Sequence, residues 1–240
     1  MSNLRLEDLG CGDLKILQDP NLYTFTSDSV ILANFIRTKA SERCLEIGMG
    51  SGVISLLLSA KQKFKEIVGF EIQKEMFSLA SENIELNNLQ DKIAIINDDI
   101  LNYSKYYKTG QFDVVFSNPP YMKVCQQKNL SQCRNMARHE DFLPLEKLTK
   151  VMSDILKFGG RGYIVYGADR SCELIHSLMK NSLQPKTMFF TENGKGRVVL
   201  VVVEFVKGGN AGVSVLPNLV TNDKNGDYYQ KLTTRKFLEK

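Results

Sequence analysis

The sequence predicts an α/β fold built on a mostly parallel sheet of seven strands that closes on an antiparallel hairpin. Three observations carry this. From residue 43 onward, short runs of branched apolar residues alternate with longer segments of helical period, the pattern of βαβ units. A glycine-rich turn, Gly48-Met49-Gly50-Ser51-Gly52, falls between the first of these runs and the first of these helices. The last run, Val198–Val206, is apolar with hardly a break, as expected of a strand covered on both faces rather than an edge strand.

The elements follow in order. Ser27-Asp28 reads as the N-cap of an entry helix over Ser29–Thr38, whose Val30, Ile31, Ala33, Asn34 and Phe35 supply a mostly apolar face. Strands are expected at Cys44–Ile47, Ile67–Phe70, Ile93–Ile96, Phe112–Phe116, Gly162–Tyr166, Lys186–Phe190 and Val198–Val206. Helices are expected at Val53–Ala60, Lys74–Asn88, Leu145–Phe158 and Asp169–Asn181, the third introduced by Pro144 and stopped by Gly159-Gly160. Only the turn Glu192-Asn193-Gly194-Lys195-Gly196 joins the last two strands, too short for a parallel crossover, so they pair antiparallel. This divides the chain into an entry segment (1–40), a ligand-binding core (41–207) and a polar C-terminal tail (208–240) that packs on or extends the core.

Composition narrows the function. At 240 residues, 43% hydrophobic and 24% charged, the chain has the make-up of an ordinary globular protein. No apolar run approaches the roughly 20 residues of a membrane span. The N-terminus has early acids and no apolar stretch of signal-peptide length, so a cytoplasmic location is expected. The five cysteines never fall in a C-x-x-C spacing and there are two histidines, so no metal site is expected. The net charge of +4 is unevenly spread: residues 1–120 hold 12 basic and 16 acidic side chains, residues 121–240 hold 19 and 11. A basic half is a first pointer to an anionic partner, although it also describes a plain solvated surface.

The chemistry-bearing residues lie at the ends of the predicted strands. Glycines after the first strand allow a tight turn and close approach of a ligand to a helix N-terminus. Their spacing is G-x-G-x-G, with Val53 where a dinucleotide fingerprint has its third glycine, and no Gly-Lys-Ser/Thr ending follows. Glu71 ends the second strand about 20 residues on, where an acid accepts hydrogen bonds from ribose hydroxyls. The third strand ends in Asn97-Asp98-Asp99, in which an acid can meet an exocyclic amine; the pair reads equally well as an Asp-rich turn or helix cap. The fourth ends in Asn118-Pro119-Pro120-Tyr121. An exocyclic amine on an aromatic ring is a poor nucleophile. A side-chain amide oxygen and a backbone carbonyl accepting its hydrogens would orient it and favour charge developing on nitrogen. The two prolines leave their carbonyls outside strand pairing, and Tyr121 offers a face for a planar base.

In this order, G-x-G-x-G, two strand-end acids and N-P-P-Y, the chain resembles class I S-adenosylmethionine-dependent methyltransferases acting on amino groups, with their Rossmann-like sheet. It looks specifically like the bacterial tRNA1(Val) (adenine-37-N6)-methyltransferase family of the methyltransferase small domain set. The closer match rests on Phe25-Thr26-Ser27-Asp28-Ser29-Val30-Ile31-Leu32, on Asn118–Tyr121 and on Ala137-Arg138-His139-Glu140, and it extends over about residues 14–220. The resemblance implies S-adenosylmethionine as cofactor, held by Thr26, Asp28, Glu46, Gly48, Gly50, Gly52, Glu71, Ile72, Asp98, Asp99 and Asn118. In it, Glu46 and the glycines surround the methionine part, Glu71 binds the ribose and Asp99 meets the adenine. Asn118, Pro119, Pro120 and Tyr121 would form the catalytic acceptor site. The chain departs from the pattern at Glu46, where Asp is commoner, and at Asp98, where a small residue is commoner.

The implied partner is RNA, most simply tRNA. Between Tyr121 and Glu140 lie Lys123, Lys128, Arg134 and Arg138 with no acid, read as a loop over the substrate entrance that also carries His139. Cys125 and Cys133 read as ordinary thiols, because methyl transfer to an amine needs no covalent step. N-P-P-Y equally suits the side-chain amide of a protein glutamine. That group normally has a helical domain before the sheet, whereas about 40 residues precede the first strand here. A non-catalytic RNA-binding module with the same fold is the third alternative.

Overall fold

In the computed structural model, residues 4–120 and 143–221 are described. The predicted Tyr121, Lys123, Lys128, Arg134, Arg138 and His139 lie outside them. The chain opens with a hairpin that the sequence reading did not anticipate, β1 (Arg5–Asp8) and β2 (Lys15–Gln18). Helix α1 follows (Ser27–Phe35), then β3 (Arg43–Ile47), α2 (Val53–Lys61), β4 (Glu66–Phe70), α3 (Lys74–Leu86), β5 (Ile93–Ile96) and β6 (Phe112–Ser117). Helix α4 (Leu145–Ile155), β7 (Leu156–Gly167), α5 (Ser171–Lys180), β8 (Leu183–Glu192) and β9 (Val198–Lys207) complete the core. Two short strands, β10 (Ser214–Val215) and β11 (Leu219–Val220), run parallel to β8, so part of the expected tail extends the sheet.

The seven expected strands are present, in the order β8-β9-β7-β6-β3-β4-β5. Strands β3 to β7 are mutually parallel, while β9 is antiparallel to both β7 and β8. Side chains alternate across the sheet with period two. Cys44, Ile67, Val114, Val165 and Val202 face the layer of α1, α2 and α3. Leu45, Val68, Val115, Ile164 and Val201 face α4 and α5. Strand β9, between two neighbours, is buried from Leu200 to Val203, as its composition predicts.

Three local readings are corrected. The N-cap of α1 is Thr26, extended at φ −119°, and Ser27-Asp28 form the first turn. Helix α4 ends at Ile155, not Phe158. The pair Gly159-Gly160 serves a bulge in β7 instead of a helix stop: Leu156 pairs with Phe112 and Arg161 with Val114, and the intervening residues loop out with Gly159 at φ +77°.

The topology fixes the site. From β3 the chain builds outward through β4 to β5, then returns to place β6 on the other flank of β3. At this reversal the connections leaving β3 and β6 diverge, opening a crevice at the strands' carboxyl ends.

Candidate active site

The glycine turn between β3 and α2 forms the floor of the crevice. The N–H groups of Gly48 and Met49 both donate to the Phe70 carbonyl at the end of β4, at 2.9 and 3.0 Å. Met49 lies flat over Gly69 of β4, where an added Cβ would come within 2.2 Å of its Cε. Gly48 has φ +71°, a left-handed conformation, and open space where a side chain would project. A ligand can therefore approach the backbone closely. The turn is also held from behind: Asn83 of α3, fully buried, donates through Nδ2 to the Ser51 carbonyl at 3.0 Å. The same side chain exchanges hydrogen bonds with the N–H and carbonyl of Leu17, so the N-terminal hairpin is tied to the turn.

The predicted acids take up different tasks. Glu71, only 5% exposed, follows β4; its Oε2 accepts from the Gly50 N–H at 2.8 Å and its Oε1 from the Gln73 N–H at 2.9 Å. Each oxygen keeps a lone pair for a further donor. Ile72, next in the chain, is 44% exposed and offers an aliphatic surface at the crevice. After β5, Asp99 caps a short 3₁₀ turn (Ile100–Lys105) by accepting from the Leu101 N–H through Oδ1. Asp98 is occupied within its own turn, bonded to Asn102, Lys105, Tyr106 and the Asp99 N–H. The hydrogen bond from Asn102 leads these contacts in holding its carboxyl down to about 2. The pair is thus both an Asp-rich turn and a cap, and Asp99 is the member with an oxygen to spare.

Glu46, which the resemblance sets around the methionine part of the cofactor, is held from within the core. It is 1% exposed, on the sheet face covered by α2, and its carboxyl is hydrogen-bonded by the Ser55 hydroxyl. Burial pushes it up to about 8, opposed by the Ser55 bond and reinforced by the nearby Glu71 carboxylate. Its place is behind the glycine turn. Below the usual glutamate range both folded and unfolded states are protonated, and the stability tied to this group is fully present. Between that range and about 8 the unfolded chain releases a proton that the folded chain keeps, so this contribution is lost as pH rises. We expect thermal melts of Glu46→Gln to lose that component, so that its melting temperature gains on the parent's between pH 5 and pH 8. A pH-independent difference would contradict the neutral, buried carboxyl.

On the other flank, the Ser117 hydroxyl donates to the Ile47 carbonyl at 2.8 Å and locks β6 to β3 where they part. Asn118 follows, half-buried, with Pro119 buried and Pro120 half-buried beyond it. Its Nδ2 donates to the hydroxyl of Ser29 in the first turn of α1, at 2.9 Å. That bond brings the turn containing Asp28, with Thr26 just before it, to the crevice. It also fixes the amide so that Oδ1 is the edge left available. Ser29, Asn83, Ser55 and Ser117 are site-building residues that the sequence reading missed. Among the described residues, no three His, Cys, Asp or Glu side chains cluster to hold a metal ion.

Comparison with known proteins identifies the family. Over residues 13–187 the chain matches the family described as "Methyltransferase small domain". It is 36% identical over 144 residues to the tRNA1(Val) (adenine(37)-N6)-methyltransferase of Bacteroides thetaiotaomicron, covering 60% of this chain and 59% of that one. It is 28% identical over 216 residues to the protein of the same name from Bacteroides fragilis, covering 89% and 90%. A protein of Methanocaldococcus jannaschii named for N5-glutamine methylation is 33% identical over 124 residues, 52% of this chain and 59% of that one. Among solved structures, one described as a predicted O-methyltransferase of Agrobacterium tumefaciens superimposes with a TM-score of 0.68 at 17% identity, covering 86% of this chain and 95% of that one, and so shares the fold. With its matched region spanning the glycine turn, the strand-end acids and Asn118, the chain belongs to the methyltransferase small domain family.

Proposed function

We propose that the protein is an S-adenosylmethionine-dependent N-methyltransferase acting on the exocyclic N6 of an adenine in tRNA. The observation that carries the amine acceptor is Asn118, held at the carboxyl end of β6 through its Nδ2 by Ser29, with no hydrogen bond to its amide oxygen among the described residues. The relative matching 89% of the chain is named for this reaction, which supports the choice of adenine in tRNA.

The residues present fit the cofactor. The gap over Gly48 admits a ligand against the backbone, Glu71 supplies carboxylate acceptors for a ribose diol, Ile72 an apolar ledge for a planar ring, and Asp99 an acceptor for an exocyclic amine. When bound, S-adenosylmethionine supplies a methyl group activated on a positively charged sulfur. The protein's part is orientation: Asn118 Oδ1 and the backbone carbonyl of Pro119 accept the amine hydrogens and aim the nitrogen lone pair. Holding reactants in line contributes about 7–11 kcal/mol in favourable cases, so no general base is required. The proton of the methylated, cationic nitrogen leaves to water. An adenine in structured RNA must unstack to reach Asn118, at a cost of a few kcal/mol. Lys123, Lys128, Arg134 and Arg138 are the cations we assign to the substrate entrance, with Tyr121 as the stacking face and His139 as a further substrate-binding residue. The compartment that goes with this reading is the cytoplasm; no helix among the described residues is long and apolar enough to cross a membrane.

The relative named for N5-glutamine methylation favours a second reading, because a glutamine amide presents the same two hydrogens to the same acceptors. Supplying labelled S-adenosylmethionine with both tRNA and protein from cells lacking the enzyme separates the two. Label in the RNA fraction is expected; label confined to protein would transfer the assignment to glutamine.

Ser29 yields a further prediction. Without its hydroxyl the Asn118 amide can turn over and present its NH₂ edge to the substrate. Ser29→Ala is expected to lower turnover about 10-fold or more, the scale of losing one orienting hydrogen bond, with cofactor affinity unchanged. Ser29→Thr, which keeps the hydroxyl, should recover most of the loss. Equal activity of all three proteins would show that the bond does not orient Asn118.

A further inference from the structure

Strand β9 runs antiparallel to β7, so the turn joining β8 to β9 (193–197) lies at the end of the sheet where β7 finishes, the end that carries Asn118 and the glycine turn. Leu200 is opposite Gly167, the last residue of β7, while β9 starts at Val198. The hairpin therefore overhangs its neighbour. Strand β9 is two strands away from β6, about 10 Å at the usual strand spacing.

This overhang is stiff. The Asn193 N–H donates to the Arg197 carbonyl at 2.9 Å, and the Gly196 N–H donates to the Asn193 carbonyl at 3.0 Å. Asn193 Oδ1 accepts from the N–H groups of Lys195 and Arg197, both at 3.0 Å. From the outer side, Thr221 following β11 donates its N–H and its hydroxyl to the Glu192 carbonyl at 2.7 and 3.1 Å. The backbone is thus braced from within and from the sheet edge. Yet the side chains it presents, Lys195 and Arg197, are exposed and form no ion pair among the described residues. Other exposed cations, Lys63, Lys74 and Lys108 among them, are likewise without an ion pair among the described residues, so what distinguishes this pair is its place on a braced turn at the ligand end of the sheet. The nearest acid in the turn is Glu192 at its base, half-buried, with Oε1 beside Gly196.

We infer that the β8–β9 turn is a preorganised phosphate-contacting arm of the substrate surface, in which Lys195 and Arg197 each engage one phosphate of the RNA flanking the nucleotide held at Asn118. The inference rests on the RNA reading above and extends it to a second element, remote in sequence from residues 123–138. A backbone fixed beforehand lowers the ordering cost of such contacts. Two exposed cations on a braced turn at the ligand end of the sheet have the charge that a nucleic acid backbone, rather than a neutral amide substrate, would use.

The test is binding of unmodified tRNA to the full chain over a salt series, with S-adenosylmethionine affinity measured in parallel to report the fold. Lys195→Ala/Arg197→Ala is expected to weaken tRNA binding and to flatten the log–log salt slope by about 1.4–1.8, two phosphates at 0.7–0.9 each. Cofactor affinity should not change. The single variants Lys195→Gln and Arg197→Gln should each flatten the slope by about half that amount. Unchanged slopes in variants that bind cofactor normally overturn the arm while leaving the RNA reading intact. A parent chain that fails to bind tRNA at low salt, or that binds only protein substrates, overturns both.

Discussion

Replacing Asn118 by alanine is expected to lower methyl transfer by about 10²–10³-fold, the usual loss when one preorganised group at the reacting centre is removed. Affinity for S-adenosylmethionine should stay within a few-fold of the parent's. The split follows from the geometry. Asn118 stands after β6, with its Nδ2 committed to Ser29 and its oxygen available, whereas the glycine turn and Glu71 stand after β3 and β4. Removing the amide leaves those elements untouched but deprives the amine of its acceptor. Asn118→Asp offers a finer comparison, because a carboxylate still accepts from the amine but cannot donate to Ser29. It should retain more turnover than alanine and less than the parent. Single-turnover rates at saturating cofactor, with calorimetric titration of each variant, check both halves. Unchanged turnover in Asn118→Ala would remove the acceptor role.

The converse pattern is expected at Glu71. Glu71→Ala should raise the dissociation constant of S-adenosylmethionine about 10–100-fold. Hydrogen bonds to charged groups contribute roughly 1.5–3 kcal/mol each, and every 1.4 kcal/mol is about a factor of ten. Two losses combine: the acceptors offered to a ribose, and the bond from the Gly50 N–H that holds the turn against β4. Glu71→Gln keeps one oxygen for Gly50 and should fall between alanine and the parent. Calorimetric titration measures this directly, and an unaltered dissociation constant in Glu71→Ala would contradict the placement of the ribose beside β4.

The parts of this site that were legible in the sequence are those encoded locally. A buried strand followed at once by alternating glycines announces a backbone that must adopt positive φ, and Gly48, Gly50 and Gly52 do so at +71°, +58° and +85°. Strand-end positions of Glu71, Asp99 and Asn118 follow from the same alternation of strand and helix, because each lies where an apolar run stops. The supporting contacts were not legible. Ser29 meets Asn118 across 89 residues, Asn83 reaches Ser51 across 32, and Ser117 bonds Ile47 across 70, all through small polar side chains that give no periodic signal.

The same distinction explains the fold-level differences. The β1–β2 hairpin has no apolar stripe on β1, whose four residues are exposed, and β2 is fastened to α3 through Asn83 and Asn87, some 66 and 72 residues away. Gly159-Gly160 reads locally as a helix stop, but the pairing of Leu156 with Phe112 requires the chain to enter the strand at once, and the glycines accommodate the bulge that results. Asp98 and Asp99 looked alike in sequence; only the 3₁₀ turn after β5 shows that Asn102, Lys105 and Tyr106 engage the first and leave an oxygen of the second.

Transfer to the exocyclic nitrogen of an adenine is read out by identifying the methylated product. Unmodified tRNA is incubated with the purified chain and methyl-labelled S-adenosylmethionine, digested to nucleosides and resolved by mass spectrometry. The label is expected to elute as N6-methyladenosine and to disappear with Asn118→Ala. Label in a ring-nitrogen or ribose-methylated nucleoside, or in glutamine when protein is supplied instead, would contradict that transfer.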